Sequence, residues 1–114
     1  MAYIYKITND INEKVYIGRT CNSIQKRFKE HCKDSSRLKL ERRPLYSAMR
    51  KYGTDKFHIE AIEECAYNVA GEREQYWIEF YDSYKNGYNA TLGGDGKPFY
   101  DYDKMLKLYH SGKT

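Results

Sequence analysis

Two short segments with high β-propensity, joined by a turn, constrain the fold of this chain more than any other feature. Residues 3–8 read Tyr-Ile-Tyr-Lys-Ile-Thr and residues 14–18 read Lys-Val-Tyr-Ile-Gly, so both are rich in β-branched and aromatic side chains. The five residues between them, 9–13, include two asparagines and an aspartate, which favour turns. We therefore predict an antiparallel β-hairpin at the start of the chain.

Hydrophobic periodicity predicts one further strand and three helices after the hairpin. The strand covers residues 56–63, and a basic loop covers residues 35–43. The helices cover about residues 23–34, capped by Asn22 or Ser23, a segment from Pro44 to a stop at Gly53, and residues 68–82, capped by Asn68. The simplest architecture is of the α/β (α+β) class, a three-stranded antiparallel sheet flanked by helices.

The composition favours one compact cytoplasmic domain without a disulfide framework. The 114 residues suit a single domain. No apolar run approaches the ~20 residues that span a bilayer, and the first residues are too polar for a signal peptide. The three cysteines are odd in number and lack the spacing of a zinc site.

Charge is distributed unevenly along the chain. Between residues 19 and 51 there are eleven Lys and Arg against three Asp and Glu, a balance of +8. Between residues 56 and 84 there are two against seven, a balance of −5. Two interpretations stay open: a set of solvated helix faces, or a wall that faces phosphates beside a wall that carries carboxylates.

Glu74 lies inside the apolar stripe of the third predicted helix. It follows Ala70 by four residues and precedes Trp77 and Ile78 by three and four. An ionised carboxylate on an apolar helix face is unfavourable unless it meets a cation, a set of hydrogen bonds or a metal. A buried salt bridge, for example to Arg27, and a metal site therefore remain equal alternatives.

Two pairs of residues could supply further chemistry. Arg27 and His31 are four apart on one helix face, where they are either surface residues or a phosphate-binding and proton-transfer pair. Tyr5 and Tyr16 lie on neighbouring predicted strands, where they either pack together or direct two hydroxyls toward one site. Only the combination of the two pairs with Glu74 favours a catalytic site.

The combination resembles the GIY-YIG nuclease family. Tyr3-Ile4-Tyr5 and Tyr16-Ile17-Gly18 correspond to the two halves of its signature, although the family's first glycine is Tyr3 here. The segment from Arg27 to His31 is similar to the family's Arg-x-x-x-His helix. The segments 72–78 and 87–89 are similar to its glutamate-bearing helix and to a Gly-Tyr-Asn element. The resemblance covers about residues 2–95 and is greatest to phage- and intron-encoded homing endonucleases.

The resemblance implies a role for each matching residue. The implied catalytic set consists of two active-site hydroxyls, a phosphate-binding guanidinium, a proton-transfer or phosphate-binding imidazole and a metal-binding carboxylate: Tyr5, Tyr16, Arg27, His31 and Glu74. The metal at Glu74 would be Mg²⁺ or Mn²⁺. Gly18 and Asn89 would be accessory residues. We expect the basic segment to contact DNA phosphates through Arg19, Lys26, Arg42, Arg43, Arg50 and Lys51.

The function that the resemblance implies is hydrolysis of double-stranded DNA by the catalytic domain of a homing-type endonuclease. This domain would cover residues 1–95. Residues 96–114 would be a linker or helix that could form the start of a C-terminal DNA-binding module. We expect a monomer that does not bind membranes, encoded by a phage or an intron. The alternatives are a restriction or repair nuclease of the same fold and a catalytically silent nucleic-acid-binding domain.

Overall fold

The computed structural model describes residues 1–37 and 43–91. Within them the chain forms three strands, four helices and two short 3-10 turns at Thr54–Lys56 and Tyr67–Val69. The strands are β1 (Ala2–Asn9), β2 (Val15–Thr20) and β3 (Phe57–Cys65). The helices are α1 (Ile24–Arg37), α2 (Pro44–Tyr52), α3 (Ala70–Tyr81) and α4 (Ser83–Asn86).

The strands form one antiparallel sheet in the order β2-β1-β3. The predicted hairpin is confirmed, with a connection at residues 10–14, one residue later than predicted. Its register sets Tyr5 directly opposite Gly18 and Ile7 opposite Tyr16. The predicted third strand is also confirmed and extends to Cys65.

Strand alternation divides the protein into three layers, because neighbouring side chains point to opposite faces of a sheet. Tyr5 and Ile7 face α1 and α2, and the half-buried Tyr16 packs against the same core. Ile4 and Ile17 face the other way and pack with Ala70 and Ile78 of α3. Helices α1 and α2 therefore cover one face of the sheet, and α3 covers the other.

The helix boundaries mostly follow the predicted ones. Ser23 caps α1, since its hydroxyl accepts a hydrogen bond from the backbone N–H of Lys26 (3.2 Å). Helix α2 begins at Pro44, and Gly53 ends it with φ +94°, a conformation that glycine tolerates. No helix of residues 1–37 and 43–91 is long and apolar enough to cross a membrane.

Two boundary predictions were wrong. The loop predicted from residue 35 begins later, because α1 continues to Arg37. The Ser35 hydroxyl donates a hydrogen bond to the Cys32 carbonyl (2.8 Å), and Arg50 donates one to the Ser35 carbonyl (3.0 Å). Asn68 does not cap α3, because it lies within a 3-10 turn that leads into the helix. The predicted linker or helix at residues 96–114 and the boundary at residue 95 lie outside the described residues.

Candidate active site

A chain of buried hydrogen bonds runs from the sheet through α1 to α2. The Tyr5 hydroxyl shares a hydrogen bond with Nε2 of His31 (2.8 Å), and Nδ1 of His31 shares one with the Tyr46 hydroxyl (3.0 Å). Only 1% of His31 is exposed to solvent. Both ring nitrogens are therefore satisfied by phenols rather than by water.

The imidazole at the centre of this chain is neutral at pH 7. Burial and, after it, the nearby positive charges of Arg27 and Arg43 together lower the pKa of His31 to about 3. A neutral imidazole has one N–H and one bare nitrogen, so one phenol donates to His31 and the other accepts from it.

The two hairpin tyrosines lie on the same side of the sheet. The ring centroids of Tyr5 and Tyr16 are 6.3 Å apart, and that of Tyr16 is 5.5 Å from the His31 ring. Burial raises the pKa of both phenols, and Arg27 opposes this through its positive charge and, at Tyr5, a hydrogen bond. Both hydroxyls are thus protonated at neutral pH.

Gly18 makes room for the Tyr5 ring. A Cβ built at Gly18 would overlap the phenol end of the Tyr5 side chain. The position of the phenol therefore requires a glycine in the second half of the hairpin. A glycine in a strand often marks such a close approach to the backbone.

Arg27 lies where α1 meets the phenols. Its positive charge and hydrogen-bonding capacity lower the pKa of Tyr5, and its Nη1 forms an ion pair with Glu30 (3.0 Å) one helical turn later. The structure thus brings Arg27 and His31, which the sequence placed on one helix face, together around Tyr5.

Glu74 approaches this cluster from the opposite layer, since α3 packs on the other face of the sheet and chiefly against the outer strand β2. Its Oε1 lies 3.6 Å from Nε of Arg19, and 12% of its side chain is exposed. Its negative charge contributes to raising the pKa of both Tyr5 and Tyr16, after burial in each case. A salt bridge, one of the two alternatives that the sequence left open for Glu74, is therefore present with Arg19, and the carboxylate also acts electrostatically on the two phenols.

Glu74 fits a divalent cation of modest affinity. It is a hard oxygen donor in a half-buried position, and Mg²⁺ commonly binds through one or two carboxylates plus phosphate oxygens and water. No group of three or more His, Cys, Asp or Glu side chains is arranged to hold a metal ion within residues 1–37 and 43–91. A cation at Glu74 would consequently take most of its ligands from water and substrate.

Asn89 supports the outer strand rather than contacting the phenols. Its side-chain oxygen accepts hydrogen bonds from the Ile17 N–H (2.8 Å) and the Ser83 hydroxyl (2.7 Å), and its amide donates to the Ile17 carbonyl (2.8 Å). The preceding residue, Tyr88, donates its N–H to the Val15 carbonyl (2.9 Å). Residues 88 and 89 thus fasten β2 where the second half of the hairpin signature lies.

The described basic residues that were predicted to contact DNA fall into a group near the phenol cluster and Glu74 and a group farther along α2. Arg43 lies near the phenol cluster, with its guanidinium 5.0 Å from the centre of the Tyr46 ring, and Arg19 lies beside Glu74. Lys26 is exposed on α1, next to Arg27. Arg50 and Lys51 lie further along α2, where Arg50 bonds the end of α1 and Lys51 covers the Tyr52 ring. Arg42 lies outside the described residues.

Tyr46 is the residue of this cluster that the sequence did not predict. It receives a hydrogen bond from Nη1 of Arg43 (3.4 Å) in addition to its contact with His31. It precedes Met49 by three residues, a helical spacing that could have indicated a buried position. A tyrosine with such spacing usually packs in a core, and its hydroxyl partner becomes visible only in the folded chain.

Residues 1–89 match the sequence profile of the GIY-YIG catalytic domain. The chain belongs to the GIY-YIG family. This family membership agrees with the predicted hairpin signature and with the three-stranded sheet observed above.

Relatives of this GIY-YIG domain include a protein named intron-associated endonuclease 1, from Enterobacteria phage T4. It is 38% identical over 100 residues, which are 79% of this chain and 38% of that protein. The chain thus spans well under half the length of this curated relative.

Two solved structures have the same fold. One is the catalytic domain of intron endonuclease I-TevI in a variant that replaces a glutamate with alanine, with a TM-score of 0.72 and 33% identity over 82% of this chain and 97% of that one. The other is the catalytic domain of homing endonuclease I-TevI, with a TM-score of 0.68 and 34% identity over 78% and 97% of the two chains. This GIY-YIG domain is therefore similar to the catalytic domain of a homing endonuclease.

Proposed function

We propose that this GIY-YIG domain hydrolyses phosphodiester bonds of double-stranded DNA with the help of a divalent metal, as the catalytic unit of a homing-type endonuclease. The observation that carries the proposal is one cluster of four groups, in which the Tyr5 phenol lies beside the second hairpin phenol, a neutral imidazole and a guanidinium. The negative charge of Glu74 acts on both phenols. The similarity to I-TevI supports the choice of DNA as substrate.

Tyr5 and His31 would form the proton-transfer pair. Water that attacks the phosphorus must lose a proton, and a phenol with a raised pKa does not hold a negative charge at neutral pH. Tyr5 can accept that proton on its oxygen while it passes its own hydrogen to Nε2 of His31, 2.8 Å away. The negative charge of the bound phosphate would offset the burial and the two arginines that keep His31 neutral in the free protein, and so stabilise the cation formed on His31. In this tautomer Nδ1 of His31 carries a hydrogen and donates it to Tyr46.

Arg27 would bind the scissile phosphate. Its guanidinium offers a fork of donors beside the Tyr5 hydroxyl and stabilises the negative charge that develops on the phosphoryl oxygens. Glu74 would hold Mg²⁺ or Mn²⁺, which supplies Lewis-acid stabilisation of the leaving 3′ oxygen when bound. Lys26 and Arg43 would contact neighbouring phosphates, which position the duplex without reading its sequence.

Sequence recognition would then belong to another part of the protein. We propose that the catalytic unit covers residues 1–95 and that residues 96–114 lead toward such a module. The catalytic unit would act on one strand at a time as a monomer, because it carries one set of the proposed catalytic residues.

Cleavage of a supercoiled plasmid with Mg²⁺ tests the proposal. The unmodified protein should nick or linearise the plasmid, chelation with EDTA should stop cleavage, and Glu74→Gln should be inactive. Glu79→Gln is the matched control, because Glu79 is exposed on the same helix. Equal cleavage by the Glu74→Gln variant would refute the metal role, and plasmid binding without cleavage by the unmodified protein would favour a silent nucleic-acid-binding domain.

A further inference from the structure

Arg19 holds the carboxylate that the proposed function gives to a metal. Arg19 follows Ile17 by two residues on β2, so its side chain lies on the face of the sheet that α3 covers. Its Nε is 3.6 Å from Oε1 of Glu74, and the two side chains are 31% and 12% exposed. A full positive charge thus stands beside Glu74 before any cation arrives.

The geometry of this pair allows it to open. A separation of 3.6 Å between Nε and Oε1 is longer than a direct N–H···O hydrogen bond, so this contact is an ion pair rather than a directional hydrogen bond. Ion pairs of this kind are weak when they are partly exposed to water. A divalent cation, with twice the charge of a guanidinium, can compete for the same oxygen.

Arg19 also has space to move into. It lines a cavity of about 440 Å³ between the end of β2 and the start of α3. The other walls of this cavity include Thr20, Cys21, Tyr67 and Gly71. A guanidinium released from Glu74 can turn toward this cavity and remain in contact with solvent, without displacing buried side chains.

We propose that Arg19 is a positioning residue that occupies Glu74 in the metal-free protein and releases it when a divalent cation binds, so that Arg19 sets the cation affinity of the site. This inference rests on the proposed metal role of Glu74. It assigns Arg19 a function that differs from the DNA contact predicted from the sequence, and it makes the metal-free state a charge-balanced one in which Glu74 is already oriented.

The test is direct binding of Mn²⁺ alone, followed as loss of the free Mn²⁺ signal in electron paramagnetic resonance. Arg19→Gln should bind Mn²⁺ about three to ten times more tightly than the unmodified protein, because the competing charge is gone. Arg19→Lys keeps the charge and should stay within about twofold. The matched control is Arg37→Gln, which removes the same charge from an exposed ion pair with Asp34 (3.0 Å) on α1.

The melting temperature gives a second readout that does not depend on cleavage. Arg19→Gln leaves the half-buried Glu74 with less positive charge around it, so it should melt lower than the unmodified protein without metal and regain more of its stability when Mn²⁺ is added. Arg19→Met, which keeps the apolar stem, replaces Arg19→Gln if the latter does not fold. The double variant that combines Arg19→Gln with Glu74→Gln should lose the tighter Mn²⁺ binding of Arg19→Gln.

The outcomes separate this inference from the proposed function. Tighter Mn²⁺ binding in Arg19→Gln but not in Arg37→Gln supports it. Equal Mn²⁺ affinity in Arg19→Gln and the unmodified protein overturns it while leaving the metal role of Glu74 intact. Absence of any binding that depends on Glu74 overturns both.

Discussion

Replacing His31 with phenylalanine separates the structural role of the buried imidazole from its proposed chemical role. Phenylalanine has a similar ring size but neither nitrogen, so the substitution removes the hydrogen bonds to Tyr5 (2.8 Å) and Tyr46 (3.0 Å) without opening a large cavity. Each phenol keeps an arginine partner, Arg27 for Tyr5 and Arg43 for Tyr46. Both phenol oxygens keep a donor nearby, and the phenol that donated its O–H to His31 loses its acceptor.

The expected loss of stability is therefore small. Two net hydrogen bonds at about 1 kcal/mol each give a loss of roughly 2 kcal/mol in the free energy of unfolding. For a domain of this size that corresponds to a melting temperature lowered by about 10 °C. Loss of a proton-transfer group should instead reduce cleavage by a factor of roughly 10² to 10⁴.

The assay combines urea unfolding with plasmid nicking at 25 °C, where the His31→Phe variant should remain folded. The matched control is His58→Phe, because His58 lies exposed on β3 and its Nδ1 contacts the exposed carboxylate of Asp10 (2.7 Å). This control should cleave within about twofold of the unmodified protein, since exposed pairs contribute little. Cleavage by folded His31→Phe within threefold of the unmodified protein would refute the proton relay.

Three further expectations follow from the same contacts. On acidification from pH 7 to pH 5 the unmodified protein should lose about 2 kcal/mol more free energy of unfolding than His31→Phe. The reason is that the unfolded chain takes up a proton at His31 below about pH 6.5, while burial keeps the pKa of His31 in the folded protein near 3. Equal losses for the two proteins in urea unfolding would contradict this expectation. Gly18→Ala should displace the Tyr5 ring, lower the melting temperature and reduce cleavage at least tenfold, and a crystal structure of the variant with an unmoved ring would count against the steric argument. Asn89→Ala should lower the free energy of unfolding by roughly 3 kcal/mol, because two buried backbone groups of Ile17 lose their partner, whereas the exposed Asn86→Ala should change it by less than 1 kcal/mol; similar values for both would remove the supporting role of Asn89.

Local patterns in the sequence were sufficient for the elements that lie close together along the chain. Alternating side chains and a five-residue turn specified the hairpin, and its register then placed Gly18 opposite Tyr5. Helical spacing identified Glu74 as the carboxylate inside an apolar stripe, and the structure has Ala70 and Ile78 of that stripe buried. These features depend on periodicity and on turn chemistry, which a short window of residues carries in full.

Only the tertiary structure decided which groups meet across long separations. Tyr46 joined the site because α2 packs on α1, the ion-pair partner of Glu74 proved to be Arg19 rather than Arg27, and His31 became neutral because two phenols and the core exclude water from it. A charge or hydroxyl pattern along the chain does not state which partner will be nearest once the layers pack. Partner choice and ionisation depend on burial and on distances between layers, and both arise only when the sheet brings its two faces under different helices.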